Sequence, residues 1–301
     1  MSHKHSKHVS EDEKLHIFYI KFDLDDKGKY VQNKEDFYNE LFNDITAFAF
    51  GSKRVMERIK CPQDIAKVQR EALQKMYSIP EIKKAREYYS DKNSVEDKYL
   101  RRGEFGELIL YHLLNEYFKA DSLISKIYFK DSTGVPPHGF DAVHVDSENK
   151  TLWVGESKLY KSGSNAMDAL ISDLNEHFKV DFFKEEFTVI TNRVQDSNVE
   201  VDEFISKLID PETKILDKLA NINIALFAGF DSQAMGKGEQ SENFSADLEK
   251  EIEKLRIKID KKSSEHPWNE NLNIYLFLFP LVSKREFVSD LHNKLQGAQQ
   301  L

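Results

Sequence analysis

From residue 95 to the end of the chain, short apolar runs rich in β-branched and aromatic residues alternate with longer amphipathic segments. The short runs are typical of strands, and the longer segments, with apolar residues three and four positions apart, are typical of helices. Strands that alternate with helices indicate a layered α/β fold. The pattern predicts strands at 123–129, 140–146, 151–158, 187–192, 222–229 and 272–281, and helices at 95–119, 165–183, 199–209, 242–262 and 284–296.

The first 94 residues follow a different pattern, with one strand-like run and several helical segments. Residues 1–14 are polar and predict a mobile tail that includes His3, His5 and His8. The expected elements after it are a strand at 15–22 and helices at 34–50, 63–76 and 79–90. We therefore divide the chain into an N-terminal strand and helical region, 1–94, and an α/β region, 95–301.

The charge balance limits how the protein can bind nucleic acid. The chain carries 43 Lys and Arg residues against 52 Asp and Glu residues, which gives a formal net charge of −9. Phosphate contacts require Lys and Arg. A nucleic-acid enzyme of this composition must concentrate its basic residues, use bound cations, or rely on the binding surface of a partner.

The cysteine count and the hydropathy of the chain indicate in which cellular compartment we expect the protein. Cys61 is the single cysteine of the 301 residues, so an internal disulfide and a cysteine-based zinc site are both excluded. The longest apolar stretch, 274–282, is too short to cross a bilayer as a helix and predicts a buried strand. We expect a cytoplasmic protein with no membrane partner.

Acidic residues interrupt a predicted hairpin. Segment 139–145 reads Gly-Phe-Asp-Ala-Val-His-Val, and segment 152–158 reads Leu-Trp-Val-Gly-Glu-Ser-Lys. Side chains alternate between the two faces of a strand, so Glu156 and Lys158 share one face of theirs. A turn centred midway between the segments pairs residues whose numbers add up to 297, which places Asp141 opposite Glu156. Directly opposed residues have Cβ atoms about 4.5–5.5 Å apart.

Two opposed carboxylates on an apolar face repel each other and are costly to bury. A divalent cation resolves both problems, because Mg²⁺ usually binds one or two carboxylates together with water and phosphate oxygens. Lys158 points to the same side and can hold a phosphate or orient the attacking water. The structural alternative is an internal salt bridge, in which Lys158 neutralises Glu156 and Asp141.

A further acid comes from the preceding helix, where Glu104 and Glu107 fall within one turn. Glu107 lies on the apolar stripe with Tyr111 and Leu114, which favours a role in a metal site. Its structural alternative is an ion pair on the helix surface with Arg102 or Lys98. Glu104 is the second choice for the helix acid.

These residues resemble the core of the PD-(D/E)xK nucleases, a restriction-endonuclease-like fold with a mixed central sheet flanked by helices. The resemblance covers about 95–195, with a helical extension before it and an α/β extension after it. It matches Asp141 to the family aspartate, Glu156 and Lys158 to the (D/E)xK pair, and Glu107 to the helix glutamate. Phe140 stands where the family motif has proline.

A closer resemblance is to the HamA family, the effector subunits of Hachiman anti-phage defence systems, through His138-Gly-Phe-Asp-Ala and Leu152-Trp-Val-Gly-Glu-Ser-Lys-Leu-Tyr. It implies a helicase partner, HamB, and a role in prokaryotic immunity. The expected reaction is hydrolysis of phosphodiester bonds, with DNA as substrate. Asp141, Glu156 and Glu107 would hold Mg²⁺ or Mn²⁺, and Lys158 would act at the phosphate.

Two alternatives stay open. The chain could be a docking subunit of a helicase with little chemistry of its own, or a repair or resolvase-type nuclease on the same core. Candidates for phosphate contact are Lys126, Lys130, Lys161 and Arg193, and His138 is a candidate for substrate contact. We expect His144 to point to the opposite face, in a packing or surface role.

Overall fold

The computed structural model describes residues 5–10, 12–77, 103–125, 139–196 and 201–300. The described strands are β1 Ser6–Ser10, β2 Leu15–Ile20, β3 Phe22–Leu24, β4 Tyr30–Gln32, β5 Asp121–Ser125, β6 Ala142–Asp146, β7 Thr151–Leu159, β8 Ile222–Asp231 and β9 Asn273–Leu281. The described helices are α1 Lys34–Phe50, α2 Ser52–Arg58, α3 Pro62–Met76, α4 Glu104–Phe118, α5 Gly163–His177, α6 Val180–Asp196, α7 Glu203–Ile209, α8 Ile215–Leu219, α9 Gln233–Lys237, α10 Phe244–Ser263 and α11 Lys284–Gln299.

Seven strands form one mixed sheet in the order β1-β2-β9-β8-β7-β6-β5. The inner strands β2, β9, β8 and β7 are parallel to their neighbours in this group, whereas β1, β6 and β5 pair antiparallel at the two ends. Strands β3 and β4 form a separate two-stranded hairpin. The prediction of an α/β fold with a mixed central sheet flanked by helices is therefore confirmed.

Helices cover both faces of the sheet. Residues such as Val154 and Leu226 pack on one face with α5, α6 and α10, while Trp153 and Phe227 pack on the other with α1, α3, α4 and α11. Parallel strands covered on both sides are apolar along their whole length. This explains why β8 is buried from Ile222 to Phe230 and why the apolar run at 274–282 forms β9. No helix in the described part of the chain is long and apolar enough to cross a membrane.

The prediction of a mobile N-terminal tail is wrong for Ser6–Ser10, which forms the edge strand β1. His8 stacks on Phe18 of β2, with ring centroids 4.5 Å apart. Backbone pairing and this ring contact order a segment whose composition is polar. Since β2 lies between β1 and β9, the N-terminal region and the α/β region share the central sheet.

The strand predicted at 187–192 is also wrong, because these residues lie in α6. The helix predicted at 165–183 is two helices, α5 and α6, that break at Phe178 and Lys179. Phe183, Phe187 and Ile190 are all buried at a spacing of three and four residues, so tertiary packing overrides the β propensity of the segment.

The strand that follows β7 in the sheet is instead β8, which runs parallel to it from Leu152↔Ile222 to Leu159↔Gly229. Four described helices, α5 to α8, connect β7 to β8, and the predicted limit of the core at residue 195 falls inside α6. The helix predicted at 79–90, and parts of those predicted at 95–119 and 199–209 and of the strand at 123–129, lie outside the described residues.

Candidate active site

The β6–β7 hairpin has the predicted register. Its paired positions run from Ala142↔Gly155 to Asp146↔Thr151, so the residue numbers of each pair add up to 297. Asp141 directly precedes β6, and its backbone N–H donates a 2.9 Å hydrogen bond to the carbonyl oxygen of Gly155. The hairpin thus brings Asp141 next to the part of β7 that carries Glu156 and Lys158.

Glu156 and Lys158 face helix α5, on the side of the sheet where Val154 packs into the core. Glu156 is 4% exposed, and its Oε1 lies 2.7 Å from Nδ1 of His177. Lys158 forms an ion pair with Asp173. Both catalytic candidates on β7 therefore contact the same helix.

Asp141 is also buried, at 6% exposure. Its Oδ2 accepts hydrogen bonds from the backbone N–H and the hydroxyl of Ser157, each 2.9 Å long. These bonds fix the carboxylate against β7, at the residue that lies between Glu156 and Lys158 in the sequence.

Two opposing effects set the protonation of Lys158. Burial disfavours the ammonium and by itself would lower the pKa, but the hydrogen bond to Asp173 and the charges of Asp173, Asp141 and Glu156 raise the pKa above its usual value. Lys158 is consequently a cation at neutral pH. The same balance shows that Asp141 and Glu156 both lie within electrostatic reach of the ammonium.

The helix acids approach from the other face of the sheet. Glu104 and Glu107 are both buried in the first turn of α4, where the helix dipole favours negative charge. A Cβ on the neighbouring Gly106 would lie 3.4 Å from the hydroxyl oxygen of Ser157, so α4 packs closely over β7 at the level of the site. The assignment of Glu107 as a metal ligand stays a prediction.

The donor chemistry fits a hard divalent cation. Within the described ranges, no group of three or more His, Cys, Asp or Glu side chains is arranged to hold a metal ion. Mg²⁺ needs only one or two protein carboxylates, because water and substrate phosphate complete its shell. Asp141 and Glu156 are both buried carboxylates, the donor type that such an ion prefers, and their assignment as metal ligands stays a prediction.

Gly139, a buried residue, lies in the segment that leads into β6. Gly139 has a φ of +123°, a conformation that residues with a Cβ rarely adopt. A Cβ placed there would lie 2.5 Å from Oε2 of Glu186, which is 6% exposed on α6. The glycine thus lets the chain pass a buried acid just before Asp141.

The remaining histidine and lysine candidates have different positions. His144 is fully buried, its Nδ1 bonds the carbonyl oxygen of Ala120 at 2.8 Å, and burial lowers its pKa to about 4, so its expected packing role is confirmed. Lys161 is exposed two residues after β7, and Arg193 is half-buried on α6. The other three candidates, Lys126, Lys130 and His138, lie outside the described residues.

The sequence did not reveal that four further residues lie next to the candidate residues or the segment that precedes them. They are Asp173, His177, Ser157 and Glu186. A signal for two of them exists, because Asp173 and His177 continue the inward-facing stripe of α5 that begins with Ala166 and Leu170. A polar residue three, four or seven positions from a buried residue of the same helix lies on its buried face, and it is therefore a candidate for contact with the sheet beneath.

Comparison with known proteins identifies one family. No curated protein matches the chain. A family model, described as HamA, matches residues 1–295 of the 301.

Proposed function

The chain belongs to the HamA family, which makes it a component of Hachiman anti-phage defence, and from this premise we propose that it is the metal-dependent nuclease of that system. The proposed substrate is DNA and the proposed reaction is hydrolysis of phosphodiester bonds. The core would be of the PD-(D/E)xK type, with α4, β5, β6, β7, α5 and β8 in that order.

The observation that carries the proposal is the hairpin register. It leaves Asp141 at the end of the β6–β7 pair, hydrogen-bonded to Gly155, the residue before Glu156, with Lys158 two residues further along β7. Two buried acids at neighbouring positions disfavour folding unless a cation or a proton compensates them. The described contacts of the pair are the hydrogen bonds from Ser157 to Asp141 and the contact of Glu156 with His177, and a metal-dependent hydrolase would add a divalent cation to this arrangement.

Each residue then has a defined task. Asp141 and Glu156 would hold Mg²⁺ or Mn²⁺, with Glu107 as the predicted additional acid from α4. The bound ion would lower the pKa of a water molecule and polarise the phosphate. Lys158, held as a cation, would stabilise the negative charge that develops on the phosphate oxygens.

The charge of the chain argues for a partner. A net charge of −9 gives weak unaided affinity for a phosphate backbone. A nuclease that acted freely would also damage the DNA of its own cell. We therefore assign DNA delivery and gating to the helicase HamB, which would hold this subunit inactive until it meets foreign or altered DNA.

Reconstitution tests this function. The free subunit and its complex with the helicase would be incubated with plasmid, linear DNA and RNA, with Mg²⁺ or EDTA and with or without ATP. We expect cleavage of DNA that needs Mg²⁺ and differs in rate between the free and the complexed subunit. Absence of cleavage of any substrate by either form would refute the nuclease, and equal rates in both forms would refute the gating.

A further inference from the structure

Helix α5 presents two polar side chains, one turn apart, to the two catalytic candidates on β7. Asp173 forms an ion pair with Lys158, and Nδ1 of His177 lies 2.7 Å from Oε1 of Glu156. Residues four apart on a helix share a face, as do residues two apart on a strand. The Asp173–Lys158 and His177–Glu156 contacts therefore lie side by side between α5 and β7.

We propose that Asp173 and His177 are positioning residues of the nuclease site: Asp173 keeps the ammonium of Lys158 away from the metal-binding acids, and His177 fixes the carboxylate of Glu156. This inference rests on the proposed function. In this arrangement Lys158 is neutralised by Asp173, so that Asp141 and Glu156 stay available to a metal ion.

The case for Asp173 begins with the three acids that attract Lys158. The ammonium lies within reach of Asp173, Asp141 and Glu156, and its contact is with Asp173. An ammonium seated on Asp141 or Glu156 would compete with a divalent cation for the same oxygens. Asp173 removes this competition and keeps the lysine a cation beside the two acids.

Stability alone does not account for the Lys158–Asp173 pair. The side chains are 22% and 28% exposed, and ion pairs that keep access to water contribute little to folding. Loss of Asp173 should therefore alter the site far more than the fold.

His177 is held by aromatic contacts that fix the plane of its ring. It stacks on Phe182 with centroids 4.6 Å apart and meets Phe140 edge-on at 5.4 Å. Phe140 directly precedes Asp141, so the same histidine contacts Glu156 and the segment that leads into the other acid. A ring locked in this way can hold a carboxylate in one rotamer, as residues next to metal ligands commonly do.

The test compares variants on one helix. Asp173→Asn, Asp173→Glu and His177→Gln would be set beside Asp168→Asn and Glu176→Gln. Both control acids are exposed, Asp168 in ion pairs with Lys258 and Lys262 and Glu176 in an ion pair with Lys179. Each variant would be purified as the complex with the helicase. The readouts are Mn²⁺ binding by electron paramagnetic resonance, kcat and KM for DNA cleavage, and the thermal melting curve.

We expect Asp173→Asn and His177→Gln to weaken Mn²⁺ binding and to lower kcat, each by about 10–100-fold, with KM unchanged for both and melting unchanged for Asp173→Asn. Asp173→Glu should recover most of both losses, and the two control variants should match the parent. If Asp173→Asn and His177→Gln bind Mn²⁺ and cleave like the controls, while Lys158→Ala is inactive, the positioning roles are refuted and the nuclease stands. A parent complex that neither binds Mn²⁺ nor cleaves DNA refutes the nuclease and this inference together.

Discussion

Oδ2 of Asp141 accepts two hydrogen bonds from Ser157, one from the backbone N–H and one from the hydroxyl, each 2.9 Å long. Both residues are buried, and Ser157 stands between Glu156 and Lys158 on β7. The middle residue of the Glu-Ser-Lys triplet therefore orients the aspartate of the other strand. This contact links the two halves of the proposed motif.

The first prediction concerns that contact. Ser157→Ala removes the hydroxyl bond and keeps the backbone bond, so we expect a loss of about 1–3 kcal/mol in the free energy of unfolding. Cleavage should slow but persist, because Asp141 retains one anchor. Guanidinium denaturation and cleavage kinetics would measure both effects. Ser264→Ala, which alters an exposed hydroxyl bonded to the Lys261 carbonyl, is the control and should change neither quantity.

The second prediction concerns Gly139. Gly139→Ala adds a Cβ that meets Oε2 of Glu186 at a φ of +123°, so we expect a loss of about 1–3 kcal/mol in the free energy of unfolding. Gly236→Ala is the matched control, since nothing lies within 4 Å of its added Cβ in α9. The control should be neutral or slightly stabilising. Equal stability of both variants in denaturant titrations would contradict the claim that residue 139 must be a glycine to fit its backbone conformation and the nearby Glu186.

The third prediction concerns Lys158. Lys158→Ala should reduce cleavage by at least about 100-fold, because it removes the cation proposed to stabilise the reacting phosphate. Stability should change little, since the ion pair with Asp173 is partly exposed. Lys254→Ala, which removes an exposed lysine of α10, should retain activity within a few-fold. Comparable losses in both variants would indicate general charge attraction to DNA and would contradict a specific role for Lys158.

The fourth prediction is a pH dependence of stability. His144 has a pKa of about 4 in the folded protein because burial disfavours its charged form. The unfolded chain takes up this proton near pH 6.5, so the stabilisation is present above pH 6.5 and is lost as the pH falls towards 4. The loss amounts to at most about 1.4 kcal/mol per pH unit.

Denaturation of the parent and of His144→Asn at several pH values would measure this effect. The variant should be less stable at pH 7.5, since it disturbs a fully buried site, but its stability should fall less steeply on acidification. Identical slopes for the two proteins between pH 6.5 and 4 would contradict the buried neutral histidine.

The hairpin was predictable from sequence because its information is local. A period of two in the side chains and a short connection together fix the register of β6 on β7, and a slip of one residue would move every side chain of the strand to the opposite face of the sheet. The sequence alone therefore suffices to predict how Ala142–Asp146 pairs with 151–155, whereas the relative placement of the Asp141, Glu156 and Lys158 side chains stays a prediction.

The remaining features of the fold and the site depend on packing between residues that are distant in the chain, which local sequence patterns predict poorly. Residues 187–192 have strand-forming composition, yet Phe187 and Ile190 bury a helical face against the sheet. The polar segment Ser6–Ser10 becomes a strand because β2 offers an edge to pair with. Asp173 and His177 enter the site because α5 packs across β7, a relation that local patterns do not contain.

The most direct test of the central claim is the single-turnover rate at which the complex cleaves a labelled linear DNA in Mg²⁺. We predict that Asp141→Asn and Glu156→Gln each lower this rate by at least about 100-fold, with unchanged melting, and that EDTA abolishes the parent's activity until Mg²⁺ or Mn²⁺ is restored. Glu148→Gln, an exposed acid in the turn of the same hairpin, should cleave like the parent. Cleavage at the parental rate by either Asp141→Asn or Glu156→Gln would contradict the assignment of these two carboxylates to the active site.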